Sequence, residues 1–507
     1  MLQKSCLIVT LLFMSLGAVA QSYFTELVVF GDSLLDSGNY GADRRATNQL
    51  TDGSGQFAQI SPQYLAKHLG LALQPAIDGG SNYAVGGYQT QNVLNSVSGT
   101  GINTAFFGGG VSTSFLTDRA NRVDPRAIVL INSGGNDLNT IFATVAPTGI
   151  PTAIQARAGN FNAAVAALYD AGAKYIMVSN VPDLAMTPGP QAALAAGFYT
   201  AATIGSISAS TAGYNGLLAE AASGVLSAAN IIPFDLDGAL KYIMANADAY
   251  GLANGEINGL DQLYMCYNGG SGGCFEHPVY GINGAAPNPR KLLFNDALHP
   301  TGVTSEIVGD VLIDIVAAPS KIGLLPELGL NAASAHALRV SNQLRQSRWG
   351  DMQPQIFVAS HLSNAETSGI EFAEANTKGL VVGRTFSVSE STIYGISLSV
   401  GTQELDIANT QLESDHWGLS VMLSMRRENL FFESQIGIAM LSYDDLSRAV
   451  KLGAKQVIAV GNTDGYSINV DVLTGFDIWQ SDNWHIGPAV GVQLARALVR
   501  GYRETGG

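Results

Sequence analysis

One serine near the N-terminus follows directly on a short run of apolar residues. The run Leu27–Phe30 predicts a buried strand, and Gly31 predicts its end. Ser33 then lies in a loop at the carboxyl end of that strand, the edge of a parallel sheet at which ligands bind. A serine hydroxyl there can act as a nucleophile if a base accepts its proton. Taken alone, Gly31-Asp32-Ser33 is more typical of an ordinary turn.

The base must be one of seven histidines. Four lie beyond the α/β part of the chain: His336, His361, His416 and His485. His68 has no acidic residue close by in sequence, and His277 follows Glu276 in a cysteine loop. His299 follows Asp296 by three residues and precedes Pro300, which predicts an ordered loop at a helix start. A carboxylate at that spacing can bind the imidazole Nδ1–H and leave Nε2 free to accept a proton, although a purely structural pair is the alternative.

Two further segments offer hydrogen-bond donors for the oxyanion that forms in acyl transfer. The segment 132–137 follows a predicted strand, so we expect the side-chain amide of Asn136 at the same sheet edge as Ser33. The segment 82–87 ends in two glycines, whose backbone N–H groups can approach a substrate closely. Each segment alone resembles a common turn.

The elements that position these residues follow an α/β pattern from Phe24 to about Ala318. Short apolar strands alternate with longer helical stretches, which is typical of a three-layer α/β domain with a parallel sheet. The predicted strands are Leu27–Phe30, Ala127–Asn132, Tyr175–Val178 and Ile231–Phe234. The predicted helices include Pro62–His68, Ala153–Ala171, an Ala-rich stretch around Gln191–Ala228 and a last helix with an apolar stripe from Val303 to Ile315.

Length and composition limit the classes of protein that fit. A chain of 507 residues is too long for one ordinary core, and 47% hydrophobic with 13% charged residues indicates a folded protein. The formal net charge is −15 and no basic run occurs, which argues against nucleic acid as a partner.

The N-terminus predicts a secretory signal peptide over residues 1–20. Lys4 precedes the apolar run Leu7–Leu16, and Ala18-Val19-Ala20 supplies small residues before a mature start at Gln21. The alternatives are a membrane anchor, for which the run is too short, and a buried strand.

Two cysteines, Cys266 and Cys274, remain after removal of the signal peptide, an even pair in an exported chain. They flank a glycine-rich loop that can close on itself, so we predict a disulfide. Free thiols or part of a metal site are the alternative, but only His277 lies near enough to add a ligand. The string Gly269–Gly273 also matches a Gly-x-Ser-x-Gly nucleophile elbow, but it lacks the strand and helix that such an elbow needs.

The C-terminal part has a different period. Pro319 and Pro326 predict a short linker, and Leu330–Arg345 predicts a helix. After Trp349, apolar residues alternate with small or polar ones in Tyr394–Val400, Trp417–Met425, Tyr466–Val472 and Trp484–Leu494. This pattern is typical of a transmembrane β-barrel, with a soluble sandwich that has one wet face as the alternative.

Four segments, in this order along the chain, resemble the GDSL (SGNH-hydrolase) family of lipases and esterases: Phe30–Leu34, Asn82–Gly87, Gly134–Asp137 and Asp296–Pro300. The resemblance implies that Ser33 is the nucleophile, His299 the base and Asp296 its orienting partner. It also implies an oxyanion hole built from the N–H groups of Ser33 and Gly87 and the side chain of Asn136.

The remainder resembles the translocator of an autotransporter, so the whole chain is similar to the outer-membrane GDSL esterases of Gram-negative bacteria. We expect a signal peptide over 1–20, an esterase passenger over 21–318, a linker and lumen helix over 319–348 and a β-barrel over 349–507. About seven strands are predicted, whereas such translocators usually have twelve, and the chain stops at Gly506-Gly507 without a terminal aromatic residue. We therefore expect a truncated or incomplete barrel.

The resulting hypothesis is a serine esterase or lipase that hydrolyses carboxylic esters, especially fatty acyl esters, through an acyl-enzyme at the cell surface. We expect an ester or lipid substrate, no metal or organic cofactor, no nucleic acid and a monomer attached to the outer membrane. An acyltransferase with the same site and a non-catalytic surface adhesin are the alternatives.

Overall fold

The computed structural model describes residues 23–41, 45–52, 54–271, 273–349, 352–368, 372–407, 410–481 and 485–506. The predicted signal peptide lies outside the described residues. Among these residues, no helix combines the length and apolar character needed to cross a membrane. The chain divides into an α/β unit centred on residues 21–316 and a β unit formed by residues 317–450 and 457–507.

A four-stranded parallel sheet forms the centre of the α/β unit, which confirms the predicted fold class. Its strands, side by side in chain order, are β1 (Glu26–Phe30), β2 (Ala127–Ile131), β3 (Tyr175–Ser179) and β4 (Ile231–Phe234). In register, Glu26 lies opposite Ala127 and Ile128 lies opposite Tyr175. Every residue of β2 is buried, as expected for a strand covered on both faces.

Helices pack on both faces of this sheet. They are α1 (Ser61–His68), α2 (Thr90–Ser98), α3 (Phe115–Asp118), α4 (Gly135–Thr144), α5 (Ile150–Asp170), α6 (Pro188–Ala195), α7 (Ala201–Ser223), α8 (Leu236–Ala245) and α9 (Gly302–Ile322). Val129 and Ile131 point into a hydrophobic core shared with α2, α5 and α7. The predicted Ala-rich helix is two helices, because Gly197 adopts φ = 77° at the end of α6 and Thr200 caps the start of α7.

Shorter elements connect these helices and strands. The two-residue strands pair as Ile102–Asn103 with Val111–Ser112, Glu256–Ile257 with Leu260–Asp261, and Trp479–Gln480 with His485–Ile486. The 3₁₀ turns are Ala76–Asp78, Ala105–Phe107, Pro147–Gly149, Leu184–Met186, Ala247–Tyr250, Gln262–Tyr264, Gly269–Ser271 and Pro289–Lys291.

An irregular segment extends the parallel sheet beyond β1. The Tyr83 N–H donates to the Val29 carbonyl at 2.7 Å, and the Val85 N–H donates to the Gly31 carbonyl at 3.1 Å. These bonds bring the 82–87 segment to the carboxyl edge of β1, beside Ser33.

The β unit contains one long helix and seven long antiparallel strands in simple meander order. They are α10 (Leu325–Trp349), β5 (Ile356–Ser368), β6 (Phe372–Ser389), β7 (Thr392–Ile407), β8 (Thr410–Arg427), β9 (Leu430–Leu452), β10 (Lys455–Phe476) and β11 (Ala489–Val499). Within the described residues β5 and β11 do not pair, so the sheet is not closed. The structure therefore agrees with the expected incomplete barrel.

In this sheet the apolar side chains are exposed and the polar ones are buried, which is the reverse of their distribution in a water-soluble protein. On one face Leu398 is 62% exposed and Trp417 is 71% exposed, whereas Ser397 and Ser420 on the other face are each 1% exposed. Helix α10 covers the polar face, where His336 Nε2 lies 3.0 Å from Ser420 Oγ. An apolar outer face with a polar interior is the pattern of a transmembrane β-barrel.

Two C-terminal expectations differ from the structure. Helix α9 continues through Pro319 to Ile322 and α10 starts at Leu325, so only two residues separate the helices where a linker was predicted. The strand predicted over Trp484–Leu494 is interrupted, because Pro488, which lacks an N–H group, precedes β11 and leaves His485–Ile486 in a separate ribbon. Trp484 itself lies outside the described residues.

We expect opposite effects on stability from two Gly→Ala substitutions. A Cβ at Gly31 would lie 2.3 Å from Asn132 Oδ1 and 2.9 Å from the Asn132 carbonyl, whereas a Cβ at Gly159, in α5, meets nothing within 4 Å. Gly31→Ala should destabilise the protein by about 1–3 kcal/mol through overpacking. Gly159→Ala should stabilise it by roughly 0.5–1 kcal/mol. Thermal unfolding of the full chain, followed by helical circular dichroism, measures both; equal melting temperatures for the two variants would contradict the prediction.

Candidate active site

Ser33 lies in a tight turn immediately after β1. The side chain of Asp32 accepts a hydrogen bond from the Leu34 N–H at 3.1 Å, and the Asp32 carbonyl accepts one from the Leu35 N–H at 3.1 Å. The turn places Ser33 Oγ 2.7 Å from His299 Nε2. The structure therefore brings the predicted nucleophile and the predicted base into direct hydrogen-bond contact.

The loop before α9 fixes the orientation of the imidazole. His299 Nδ1 lies 2.9 Å from each carboxylate oxygen of Asp296. Asp296 Oδ1 also accepts the backbone N–H groups of Leu298 and His299, each at 2.9 Å. These bonds fix the carboxylate relative to the backbone of the same loop. With its proton on Nδ1 directed at Asp296, the ring presents the Nε2 lone pair to Ser33.

Three ionisable groups around Ser33 have perturbed pKa values. Burial alone would lower the pKa of His299, but the hydrogen bond and the negative charge of Asp296 raise it above its ordinary value. Burial opposes ionisation of Asp296 as well, yet its hydrogen bonds with His299 hold its pKa below the usual value. Burial raises the pKa of Asp32 to about 6, and the charge of Asp32 in turn favours the protonated form of His299.

A buried polar network joins the Ser33 loop to the 82–87 segment. Asp36 accepts the backbone N–H groups of Gly38, Asn39 and Gly86 at 2.7–2.9 Å. The Asn39 side chain donates to the carbonyls of Asn82 and Ala84 at 2.7 and 2.8 Å. The sequence analysis assigned no role to Asp36 or Asn39, although Asp, Ser, Gly and Asn in succession signal a turn whose side chains bind backbone groups.

The three predicted oxyanion donors differ in how the structure places them. The N–H groups of Ser33 and Gly87 donate to no acceptor within the described residues. Asn136, in the first turn of α4, lines the same cleft as Ser33 and His299, and its Nδ2 donates to the Tyr88 carbonyl at 3.0 Å. This bond uses one of two amide protons and leaves the other for a ligand. Gly87 is exposed and does not line the cleft; its neighbour Gly86 lies closer, since a Cβ there would be 3.9 Å from Ser33 Cβ.

Asp137, next to Asn136, anchors the start of α4. It is completely buried and accepts the Thr90 N–H at 2.8 Å and the Thr90 hydroxyl at 3.1 Å. Arg157 Nε lies 3.4 Å from the same carboxylate. Asp137 was quoted only as part of a turn motif in the sequence. Its role depends on contacts with α2 and α5, which are distant in sequence.

The disulfide loop supports the histidine loop. The structure contains a disulfide between Cys266 and Cys274, whose Cα atoms are 6.3 Å apart. Inside the loop, the Tyr267 N–H donates to the Phe294 carbonyl at 3.0 Å and the Asn268 N–H donates to the Asn295 carbonyl at 2.7 Å. The loop therefore binds the backbone immediately before Asp296. Sequence reasoning found the cysteine pair but not this contact.

A cleft of about 730 Å³, measured with its open mouth, contains Ser33, Asn136 and His299. Most of its remaining wall is apolar: Leu34, Val181, Leu184, Met186, Leu240, Met244, Phe294 and Leu298. Across the part of the chain that the structure describes, no group of three or more His, Cys, Asp or Glu side chains is placed to hold a metal ion. With its apolar wall, the cleft can hold an apolar group beside the serine hydroxyl, the imidazole and the hydrogen-bond donors.

Known proteins match both units. Residues 27–312, more than half of the chain, match the family model of the GDSL-like lipase/acylhydrolases, and residues 357–507 match the autotransporter beta-domain. The Esterase EstA proteins of Pseudomonas aeruginosa and Pseudomonas putida are each 29% identical over 533 residues, which covers 96% of this chain and 78% of theirs. Lipase 1 of Photorhabdus luminescens is 22% identical over 556 residues, covering 98% of this chain and 81% of its own.

A serine beside an Asp-supported imidazole, at the carboxyl edge of a parallel sheet, is an arrangement found in serine hydrolases. The chain belongs to the GDSL-like lipase/acylhydrolase family. It is a carboxylic ester hydrolase that is joined to an autotransporter beta-domain and displayed at the surface of the outer membrane.

The pKa of His299 predicts the acid limb of the pH–rate profile. A base must be neutral to accept the Ser33 proton, and the pKa of His299 is raised, so kcat/KM should fall as pH drops through a value above 6.5, the ordinary histidine pKa. Asp32→Asn keeps an acceptor for the Leu34 N–H but removes the charge that raises this pKa. The acid limb of Asp32→Asn should therefore move to lower pH.

A matched control for Asp32→Asn is Asp124→Asn. Asp124 is bonded to Thr25 at the opposite end of β1 and should leave the acid limb in place. An acid limb in Asp32→Asn at the same or a higher pH than in the unmodified enzyme would contradict the electrostatic role of Asp32.

Proposed function

We propose that Ser33, His299 and Asp296 form the catalytic triad of this ester hydrolase. The observation that carries the proposal is the 2.7 Å contact between Ser33 Oγ and His299 Nε2, with Asp296 bound to the opposite ring nitrogen. Ser33 Oγ attacks the ester carbonyl carbon while His299 accepts the hydroxyl proton. His299 then returns the proton to the leaving alcohol, and an acyl-enzyme on Ser33 remains. Water, deprotonated by His299, releases the acid in the second half of the reaction.

The N–H groups of Ser33 and Gly87 and the side-chain amide of Asn136 form the oxyanion hole in this proposal. Both backbone N–H groups lack an acceptor among the described residues, which leaves them available to the negative oxygen of the tetrahedral intermediate. The bond from Asn136 to the Tyr88 carbonyl fixes the amide orientation, so little rearrangement is needed when charge develops. The exposed position of Gly87 requires that the substrate carbonyl lie at the rim of the cleft rather than in its depth.

Fatty acyl esters are the substrate class that we infer from the cleft wall. Val181, Leu184 and Met186, together with Leu240 and Met244 of α8, form a largely apolar surface in the cleft that contains Ser33. Burying an acyl chain there removes apolar area from water, at about 25 cal/mol per Å². The names of the relatives, an esterase and a lipase, support a substrate of this kind.

We further propose the organisation of the mature protein. Residues 1–20 are removed as a signal peptide, 21–318 form the passenger, 319–348 hold the end of α9 and the lumen helix α10, and 349–507 form the barrel. The contact of α10 with the polar sheet face, including the Gln435 Nε2 bond to the Ala337 carbonyl at 2.8 Å, supports a helix within the barrel interior. The disulfide is present in the exported protein, and the protein functions as a monomer.

Ser33→Ala should lower kcat for p-nitrophenyl butyrate by roughly four to six decades, because the nucleophile and its proton are lost together. Ser37→Ala is the matched control: Ser37 is in the same loop, and its hydroxyl has no hydrogen-bond partner within the described residues. The control should retain activity. More than a tenth of the original activity in a folded Ser33→Ala protein would refute the nucleophile.

Asn136→Ala should lower kcat by about two to three decades with little change in KM, because the amide bond strengthens only as negative charge develops on the oxygen. Asn139→Ala, on the exposed side of the same helix, provides the comparison and should have little effect. A raised KM with an unchanged kcat in Asn136→Ala would instead show that Asn136 binds the ground-state substrate.

A further inference from the structure

A second cavity, of about 450 Å³ when the open space at its mouth is included, lies next to the catalytic cleft in the α/β unit; we refer to it as the inner cavity. Leu130, Ser179 and Phe234, from the ends of β2, β3 and β4, form one side of it. Side chains of α8 and α9, including Leu236 and Val308, form the other side. The inner cavity therefore lies on the sheet face opposite the core formed by α2, α5 and α7.

Only one layer of residues separates the inner cavity from the cleft. Leu34, Asn132, Leu240 and Pro300 each line both spaces. Because Leu34 follows Ser33 and Pro300 follows His299, this shared wall lies directly behind the catalytic residues. A chain that starts at the Ser33 acyl group and crosses the wall enters the inner cavity.

Three of the four wall residues lie in the segments next to the active-site residues, where their backbone is restrained. The Leu34 N–H is bound to Asp32, the Asn132 N–H donates to the Phe30 carbonyl at 3.1 Å, and Pro300 has a rigid ring. Leu34 and Leu240 are both half-buried leucines, but Leu34 directly follows Ser33, whereas Leu240 lies in the middle of α8, away from the loops that carry Ser33 and His299. Leucine can change rotamer without moving the helix backbone.

The backbone of α8 is fixed independently of Leu240. Asp235 caps the helix through the Gly238 N–H, and Asp237 accepts the Asp183 N–H at 2.8 Å. Movement of the Leu240 side chain therefore requires no movement of the helix. Leu240 is therefore the wall leucine that can change rotamer without disturbing the segment next to Ser33.

The chemistry of the inner cavity favours a hydrocarbon ligand. Leu35, Phe234 and Leu236 are buried at its surface, and the hydroxyl of Ser179 is already bound to the Asn180 carbonyl at 2.9 Å. Protein interiors are normally close-packed, and apolar cavities in them bind apolar molecules rather than water. An apolar space behind an esterase nucleophile is thus suited to the end of an acyl chain.

We propose that the inner cavity binds the distal methylenes of long acyl chains and that Leu240 is the side chain these acyl chains displace to enter it. The proposal rests on the proposed function, since it assumes an acyl group on Ser33. It extends that function by naming long-chain fatty acyl esters as substrates and Leu240 as the residue that controls access by chain length. Short acyl groups remain in the cleft and do not extend past the wall.

The test compares two esters on the same preparation of the full chain in detergent: p-nitrophenyl palmitate and p-nitrophenyl butyrate. The ratio of their kcat/KM values does not depend on the fraction of enzyme that is folded. Leu240→Ala should raise this palmitate-to-butyrate ratio at least about tenfold, since burying each additional methylene is worth roughly fourfold in binding. Ile243→Ala is the matched control: it removes a similar volume from α8 at a residue that lines neither space, and it should leave the ratio unchanged.

Val308→Phe tests the inner cavity itself, because Val308 lines that cavity but not the cleft. The added ring should lower the ratio at least about tenfold and should cancel the gain of Leu240→Ala in the double variant. Ser305→Leu, on the same helix and also lining the cavity, replaces Val308→Phe if the latter fails to fold. A gain that persists in the double variant would place the extra methylenes in a widened cleft and overturn the proposal.

An unchanged ratio in Leu240→Ala also overturns the proposal. These outcomes are distinct from failure of the proposed function, which is measured by butyrate hydrolysis in Ser33→Ala alone. If Ser33→Ala hydrolyses butyrate, the catalytic assignment is wrong; if it does not and the ratios fail to move, only the inner cavity is wrong.

Discussion

The hydrogen bond between Ser33 and His299 connects residues that are 266 positions apart, and the α/β unit is built so that this distance can be 2.7 Å. Parallel strands all present their carboxyl ends at one edge, so the turn after β1, the start of α4 after β2 and the loop before α9 can converge there. None of the residues that we propose as catalytic lies within a strand. The rigid sheet fixes the positions from which loops and helix ends present them.

Each of those loops is then restrained by hydrogen bonds to residues outside the proposed triad. Asp36 holds the Ser33 turn to the 82–87 segment, Asp137 holds the start of α4, and the disulfide loop holds the backbone before Asp296. A buried carboxylate that accepts two or three hydrogen bonds is well suited to this task, because charge-assisted bonds are stronger than neutral ones and compensate for burial. The site is thus organised mainly by backbone donors and a small number of buried acids.

The sequence predicted structure well where a local pattern of residue types is enough to indicate a strand or its buried face. Apolar runs such as Leu27–Phe30 and Ala127–Asn132 predicted the sheet, and alternation after Trp349 predicted strands that place Trp417 outside and Ser420 inside. It did not predict the role of a residue where that role depends on contacts with residues distant in sequence. Asp137 and the wall residue Leu240 have ordinary local sequences. The contacts of Asp137, and the role that we propose for Leu240, arise only when α2, α5 or the ends of the strands are brought beside them. Pro319 is a case in which a strong local signal was misleading, since a residue type that usually ends helices lies within α9.

The buried acids affect the pKa of His299 as well as the positions of the loops. Asp296 and Asp32 both favour the protonated form of His299, so the carboxylates that shape the site also make this imidazole a stronger base for the proposed removal of the Ser33 proton. A stronger base accepts that proton more readily, but it is also neutral over a narrower range of pH. Burial keeps the pKa of Asp32 near 6, so the charge of Asp32 is present at neutral pH and is lost on acidification. Asp32 therefore strengthens the base in the range of pH where His299 is neutral, and its effect disappears in acid, where the protonated imidazole can no longer accept the Ser33 proton.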